Sequence, residues 1–148
     1  LEITIGAEDE TYFAQNFSEL PLIDFAGPLD NDFGTGGNHG SAYVGTIIFE
    51  VFEPITIESA LVISGATGSR SIRLIEGLDN DGSTLQTVVV DVDFTGAGRI
   101  DLGFEINEPG IYSMGLNNAE FYRNDLGANY PYEIDDVMTI IGSPAGPD

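Results

Sequence analysis

Apolar and polar residues alternate along residues 99–106, where Ile100, Leu102, Phe104 and Ile106 occupy every second position. Successive side chains of a β-strand point to opposite faces of its sheet, so this run gives one apolar and one polar face. Comparable runs, some alternating only in part, lie at residues 43–53, 55–63, 71–75, 87–94, 110–116 and 132–141. Glycine, asparagine and aspartate separate them, as turns require. The pattern predicts an all-β fold, an antiparallel β-sandwich resembling a jelly roll.

The length of 148 residues predicts one domain with its own hydrophobic core. We expect an N-terminal strand and long loop over residues 1–40, the sandwich core over residues 41–143, and a tail or linker over residues 144–148. No convincing helix longer than about two turns is expected, and residues 8–17 are the best candidate for a short one. No run of about 18 apolar residues occurs, so insertion into a membrane is not expected.

The net charge of the chain indicates which partners and which location to expect. It carries 25 acidic residues against 4 basic ones, a formal net charge of -21. This sign is wrong for counterion release on nucleic acid or for an anionic membrane, so neither is an expected partner. Cysteine is absent, which excludes disulfides and thiolate metal sites. Multivalent cations or salt would relieve the repulsion between carboxylates, so we predict a calcium-containing, extracellular or cell-surface location.

Two acidic segments are candidate calcium sites. Asp79, Asp81 and Ser83 place oxygen ligands at alternate positions of a tight loop, and hard oxygen ligands suit Ca²⁺. The alternative is a plain hairpin turn between residues 72–75 and 85–88, where aspartate and asparagine favour local hydrogen bonds. Asp30 and Asp32 form the second candidate, because they lie in a long loop that needs something to order it.

Signals for catalysis are weak, and we predict that the chain is not an enzyme. His39 is the one histidine and lies in a glycine-rich loop, where a turn or surface role is commoner than catalysis. No Gly-x-Ser-x-Gly motif occurs, and the glycines of residues 34–40 do not fit Gly-x-Gly-x-x-Gly.

The segment over residues 120–132, which we call the tyrosine loop, is the most distinctive stretch. It concentrates aromatic, amide and guanidinium groups that suit a ligand or partner surface. The candidate residues are Tyr122, Arg123, Asn124, Tyr130 and Tyr132. The alternative is structural: the tyrosines pack beneath the loop, and the arginine pairs with a nearby carboxylate.

A family resemblance starts in this loop. Tyr-Arg-Asn at residues 122–124, Gly127, Tyr-Pro-Tyr at residues 130–132 and Met-Thr-Ile-Ile-Gly-Ser at residues 138–143 follow in order. The pattern resembles a β-sandwich domain that recurs in large secreted and surface proteins of marine Bacteroidetes-type bacteria. The resemblance covers residues 41–143 and implies an extracellular accessory module with no settled activity of its own. Members of that family continue into a tyrosine-rich final strand, so we expect an open sheet edge after residue 143.

Three functions remain open at this point. The first is a non-enzymatic binding or adhesion module, with a glycan or a protein at the cell surface as its partner. The second is a subunit of an extracellular filament or surface layer, in which residues 1–5 of one copy add a β-strand to the next copy. The third is a carbohydrate-binding module of a polysaccharide-degrading enzyme.

Overall fold

The computed structural model describes residues 24–28, 30–32, 34–38, 45–78, 82–117 and 120–143. Within these residues all regular secondary structure is β-strand, in ten strands. The strands are β1 (Gly36–Asn38), β2 (Gly45–Val51), β3 (Ile55–Ser64), β4 (Gly68–Glu76), β5 (Thr84–Val92), β6 (Gly96–Ile106), β7 (Gly110–Asn117), β8 (Tyr122–Asn124), β9 (Tyr132–Ile134) and β10 (Met138–Gly142). Residues 8–17, the best candidate for a helix, lie outside the described part of the chain.

The first eight strands pair in a nested order. β4 pairs with β5, β3 with β6, β2 with β7 and β1 with β8, and every pair is antiparallel. This nesting is that of a long hairpin folded over on itself, which is how a jelly roll arises. The predicted antiparallel β-sandwich of jelly-roll type is therefore confirmed.

The strands form two layers. One layer is a six-stranded sheet in the order β5-β4-β7-β2-β10-β9, and the other contains the β3–β6 pair. A bridge between Ser64 and Phe121 sets the short β1–β8 pair beside β3, and the Gly65 N–H donates to the Glu120 carbonyl oxygen at 2.9 Å. The second layer therefore follows the order β1-β8-β3-β6.

Both layers contribute to one hydrophobic core. Strand β6 supplies the alternating residues predicted from sequence, and Ile100, Leu102, Phe104 and Ile106 are all buried. The facing sheet contributes Phe49, Val51, Ile72, Leu74, Val92 and Tyr112. Burying such side chains contributes about 1.5–3 kcal/mol each, so the core fixes the positions of the loops at its margins.

The last strand has neighbours on both sides. β10 lies between β2 and β9, so no open edge exists at β10 and the sequence expectation is wrong on this point. The family resemblance could not reveal the β9–β10 hairpin, which fills that position. Among the described strands the edges of the six-stranded sheet are β5 and β9. Residues 1–5, the predicted donor strand, lie outside the described residues.

A search of the described residues for a helix that is long and apolar enough to cross a membrane found none.

Candidate functional site: the tyrosine loop

The tyrosine loop connects the two layers of the sandwich. It begins beside β3, runs through β8, and ends in β9 at the edge of the six-stranded sheet. Tyr122, Arg123 and Asn124 are the three residues of β8, and all are half-buried opposite β1. These three candidates are therefore part of the sheet, whereas Tyr130 lies in the loop beyond it.

Two glycines allow β1 to lie against the loop backbone. A Cβ atom on Gly36 would overlap the carbonyl oxygen of Arg123, and one on Gly34 would overlap that of Leu126. Gly34 also has a φ of +62°, which non-glycine residues rarely adopt. The Asp125 N–H donates to the Thr35 carbonyl oxygen at 2.6 Å, which fixes this contact. The local backbone therefore holds the start of the loop against β1.

A second connection comes from the segment at residues 30–32. The Asn124 side-chain amide donates to the carbonyl oxygen of Asn31 at 3.2 Å. Asn31 lies between Asp30 and Asp32, so the structure brings this candidate calcium segment next to β8. The sequence could not reveal that residues 30–32 lie beside β8, because the two segments are far apart in the chain.

Tyr130 and Tyr132 form an aromatic pair on either side of the cis peptide bond at Pro131. Their ring centroids are 5.3 Å apart and the ring planes meet at 74°, an edge-to-face arrangement. The Tyr132 hydroxyl oxygen accepts a hydrogen bond from the Asn129 N–H at 3.0 Å. Tyr132 therefore supports the loop, while Tyr130 remains 41% exposed and presents its ring to solvent.

The surroundings of Tyr130 raise the pKa of its hydroxyl. Partial burial of the ring raises the pKa of Tyr130 above its ordinary value, and the neighbouring Tyr132 raises that pKa further. Burial disfavours the phenolate, and a second phenolate beside it would repel it. At neutral pH the Tyr130 hydroxyl is therefore available both to donate and to accept a hydrogen bond.

Arg123 makes a local ion pair. Its Nη2 atom lies 3.0 Å from the Asp125 carboxylate, and the arginine side chain is largely buried. The pairing that the structural alternative predicted for this arginine is therefore present. The guanidinium contributes to holding β8 and the turn that follows it.

One exposed apolar residue of this loop, Leu126, was not predicted from the sequence. Leu126 is 58% exposed and lies two residues after the end of β8, with Asn129, Tyr130 and Pro131 also exposed nearby. The sequence did contain a signal for this exposure, namely a leucine between aspartate and glycine in a polar loop. Such a leucine has no strand in which to bury its side chain. Exposed apolar area next to hydroxyl and amide groups is the chemistry of a binding surface.

The candidate calcium residues lie in two places. The Asp32 N–H donates to the Asp30 carboxylate at 2.9 Å, a local turn. Asp79 and Asp81 lie outside the described residues. The Ser83 carbonyl oxygen accepts a hydrogen bond from the Glu76 N–H at 3.0 Å, which closes the predicted β4–β5 hairpin. The part of the chain that the structure describes contains no group of three acidic or histidine side chains placed to hold a metal. His39 lies outside it as well, and calcium binding stays a prediction.

Comparison of the chain with protein-family models, with curated proteins and with solved structures gives no match.

Proposed function

We propose that the chain is a non-enzymatic binding module that works outside the cell, with the tyrosine loop as its contact surface. The observation that carries this proposal is the exposed Tyr130 ring, which Tyr132 supports edge-to-face. A rigid jelly roll with a long, well-supported loop is a common way to present binding residues. Because the supporting contacts exist before a partner arrives, little ordering entropy is lost on binding.

The chemistry of the loop suits a glycan or a protein at a cell surface. Tyrosine offers a flat apolar face for the C–H face of a sugar or for an apolar side chain, and a hydroxyl for a hydrogen bond. Leu126 adds apolar area, and the exposed Asn129 side chain adds an amide. The strongly acidic surface fits a salty, calcium-containing exterior, where screening reduces self-repulsion.

The proposal predicts that Tyr130→Ala weakens binding while leaving the fold intact. The labelled protein would be applied to a glycan array and to immobilised bacterial surface proteins, and the affinity for each positive ligand measured. Truncation of an aromatic anchor at an interface removes about 1–3 kcal/mol of binding free energy. Unfolding by denaturant would show whether stability has stayed close to that of the parent.

Phe52→Ala is the matched control. Phe52 is an aromatic residue of similar exposure, 45% against 41% for Tyr130, and lies in the connection between β2 and β3. We expect this variant to bind like the parent. Equal losses in both variants, or a Tyr130→Ala variant that binds normally, would contradict the assignment of the surface. A large loss of stability without a change in binding would show that the tyrosine is structural.

A further inference from the structure

Strand β5 is the longest edge strand of the described six-stranded sheet. It spans nine residues, whereas β9 at the opposite edge spans three. An edge strand directs every second N–H and C=O away from its partner, so β5 offers a row of backbone groups to a further strand. Val89 at its middle is 66% exposed on the outer face of the sheet, and Leu85 is 48% exposed.

Strand β6 forms the edge of the second layer on the side of β5, and that edge is partly closed. The Gln86 side chain reaches from β5 to β6, where its amide donates to the Glu105 carbonyl oxygen at 2.5 Å. Its carbonyl oxygen also accepts from the Glu105 N–H at 3.3 Å. One amide side chain thus occupies both backbone groups of Glu105 and closes the β6 edge at that residue.

An open groove of about 420 Å³ lies between β5 and β6 beyond this link. Its apolar residues include Val88, Val90, Phe94 and Ile100. The first three are partly buried against the hydrophobic core, and Ile100 belongs to it. A strand added to β5 would place every second side chain towards these apolar residues, because side chains alternate across a sheet.

Acidic residues surround the same groove. Asp91, Asp93 and Asp101 line it, and none of the three forms an ion pair with a described residue. Among the described residues that line the groove, Arg99 is the one cation, and it is engaged elsewhere. Its Nη1 donates to the Ser59 hydroxyl at 2.8 Å, and its guanidinium lies 4.9 Å from the centre of the Phe25 ring. The groove therefore offers unpaired negative charge beside an apolar floor.

We propose that β5 binds an extended basic peptide segment of a partner protein by β-strand addition. The backbone groups of the β5 edge pair with an extended chain. The groove accommodates apolar side chains at every second position of that chain, and the aspartates attract lysine or arginine at the intervening positions. A second copy of this chain is a poor occupant, because it too carries a net charge of -21 and would be repelled.

The test uses a short fluorescent peptide of alternating lysine and valine, with binding followed by anisotropy at several concentrations of sodium chloride. Two further peptides carry N-methyl groups, one on every valine and the other on every lysine. Only one of these two sets of N–H groups faces β5, so one methylated peptide should lose at least about tenfold in affinity and the other should bind. Hydrogen exchange of the β5 amides should slow when the unmethylated peptide binds.

Variants that remove charge test whether binding depends on this groove or only on the general negative charge of the surface. Asp91→Asn combined with Asp93→Asn should weaken binding by about threefold to tenfold. Glu133→Gln combined with Asp135→Asn removes the same charge from exposed positions in and beside β9, at the opposite edge of the six-stranded sheet, and should leave the affinity unchanged. Val89→Lys, which places a cation on the edge, should also weaken binding. Equal binding of both methylated peptides, or equal losses in both double variants, would overturn the proposal.

Discussion

Among the described residues one cation is buried, and it links a turn of the sandwich to the tyrosine loop. Arg70 lies on the inward face of β4 and is 7% exposed, unlike the other charged residues of that strand. Its guanidinium donates to the carbonyl oxygens of Ser69 and Ala66 at 3.0 and 3.1 Å, and lies 3.5 Å from the Glu120 carboxylate. These contacts join the β3–β4 turn to the first residue of the tyrosine loop. Sequence alternation could not predict this role, because arginine in a strand is ordinarily assigned to the solvent face.

At this scale we predict that Arg70→Met destabilises the fold by about 1–3 kcal/mol, because two part-buried hydrogen bonds and the contact with Glu120 are lost. Methionine fills a similar volume, so the change reports mainly on the lost polar contacts. Arg99→Met is the matched control at an exposed position, with an expected cost below about 1 kcal/mol. Denaturant unfolding of both variants measures the difference. Similar costs for the two arginines would contradict the role given to Arg70.

Among the elements, the pairing of β1 with β8 decides the position of the tyrosine loop. The β4–β5 hairpin was predictable, because its two strands are close in sequence and turn residues separate them. The β1–β8 pair joins two segments of three residues that lie far apart in the chain. Segments this short carry no clear periodicity, so their pairing follows from the nested topology and not from a local signal.

The close contact between β1 and β8 leads to a prediction about two neighbouring glycines of β1. Gly36→Ala should destabilise the protein by about 1–3 kcal/mol, because its new methyl group would overlap the Arg123 carbonyl group. Gly37→Ala has open space around the added atom and should be neutral or slightly stabilising, by less than about 1 kcal/mol. Denaturant unfolding and hydrogen exchange of the β8 amides measure both effects. If both variants behave alike, the loop is not held by close contact with β1.

For the whole molecule, the dominant physical fact is the net charge of -21 in one small domain. Repulsion among carboxylates opposes the compact state, and cations reduce it. Composition predicted this property completely, and alternation predicted the sandwich and the four core residues of β6. The tyrosine loop was identified as a segment, but the division between the supporting Tyr132 and the exposed Tyr130 required the tertiary structure.

We predict that calcium raises the thermal stability of the protein more than charge screening does. Binding to the native state alone stabilises by about 2.7 kcal/mol at a hundredfold excess of ligand over the dissociation constant. Melting temperatures would be compared in calcium, in magnesium and in sodium chloride of matched ionic strength. Asp30→Asn with Asp32→Asn, and Asp79→Asn with Asp81→Asn, would show which segment is responsible. Identical shifts in the three salts would mean that screening alone acts.

The most direct test of the central claim is to map where a ligand binds. The glycan or surface protein bound most tightly in the screen would be titrated into isotope-labelled protein, and the backbone amide shifts followed by NMR. We predict the largest changes at residues 126–132, with loss of these changes in Tyr130→Ala. Changes confined to another surface, or a screen in which no glycan or surface protein binds, would contradict the assignment of the tyrosine loop as the binding surface.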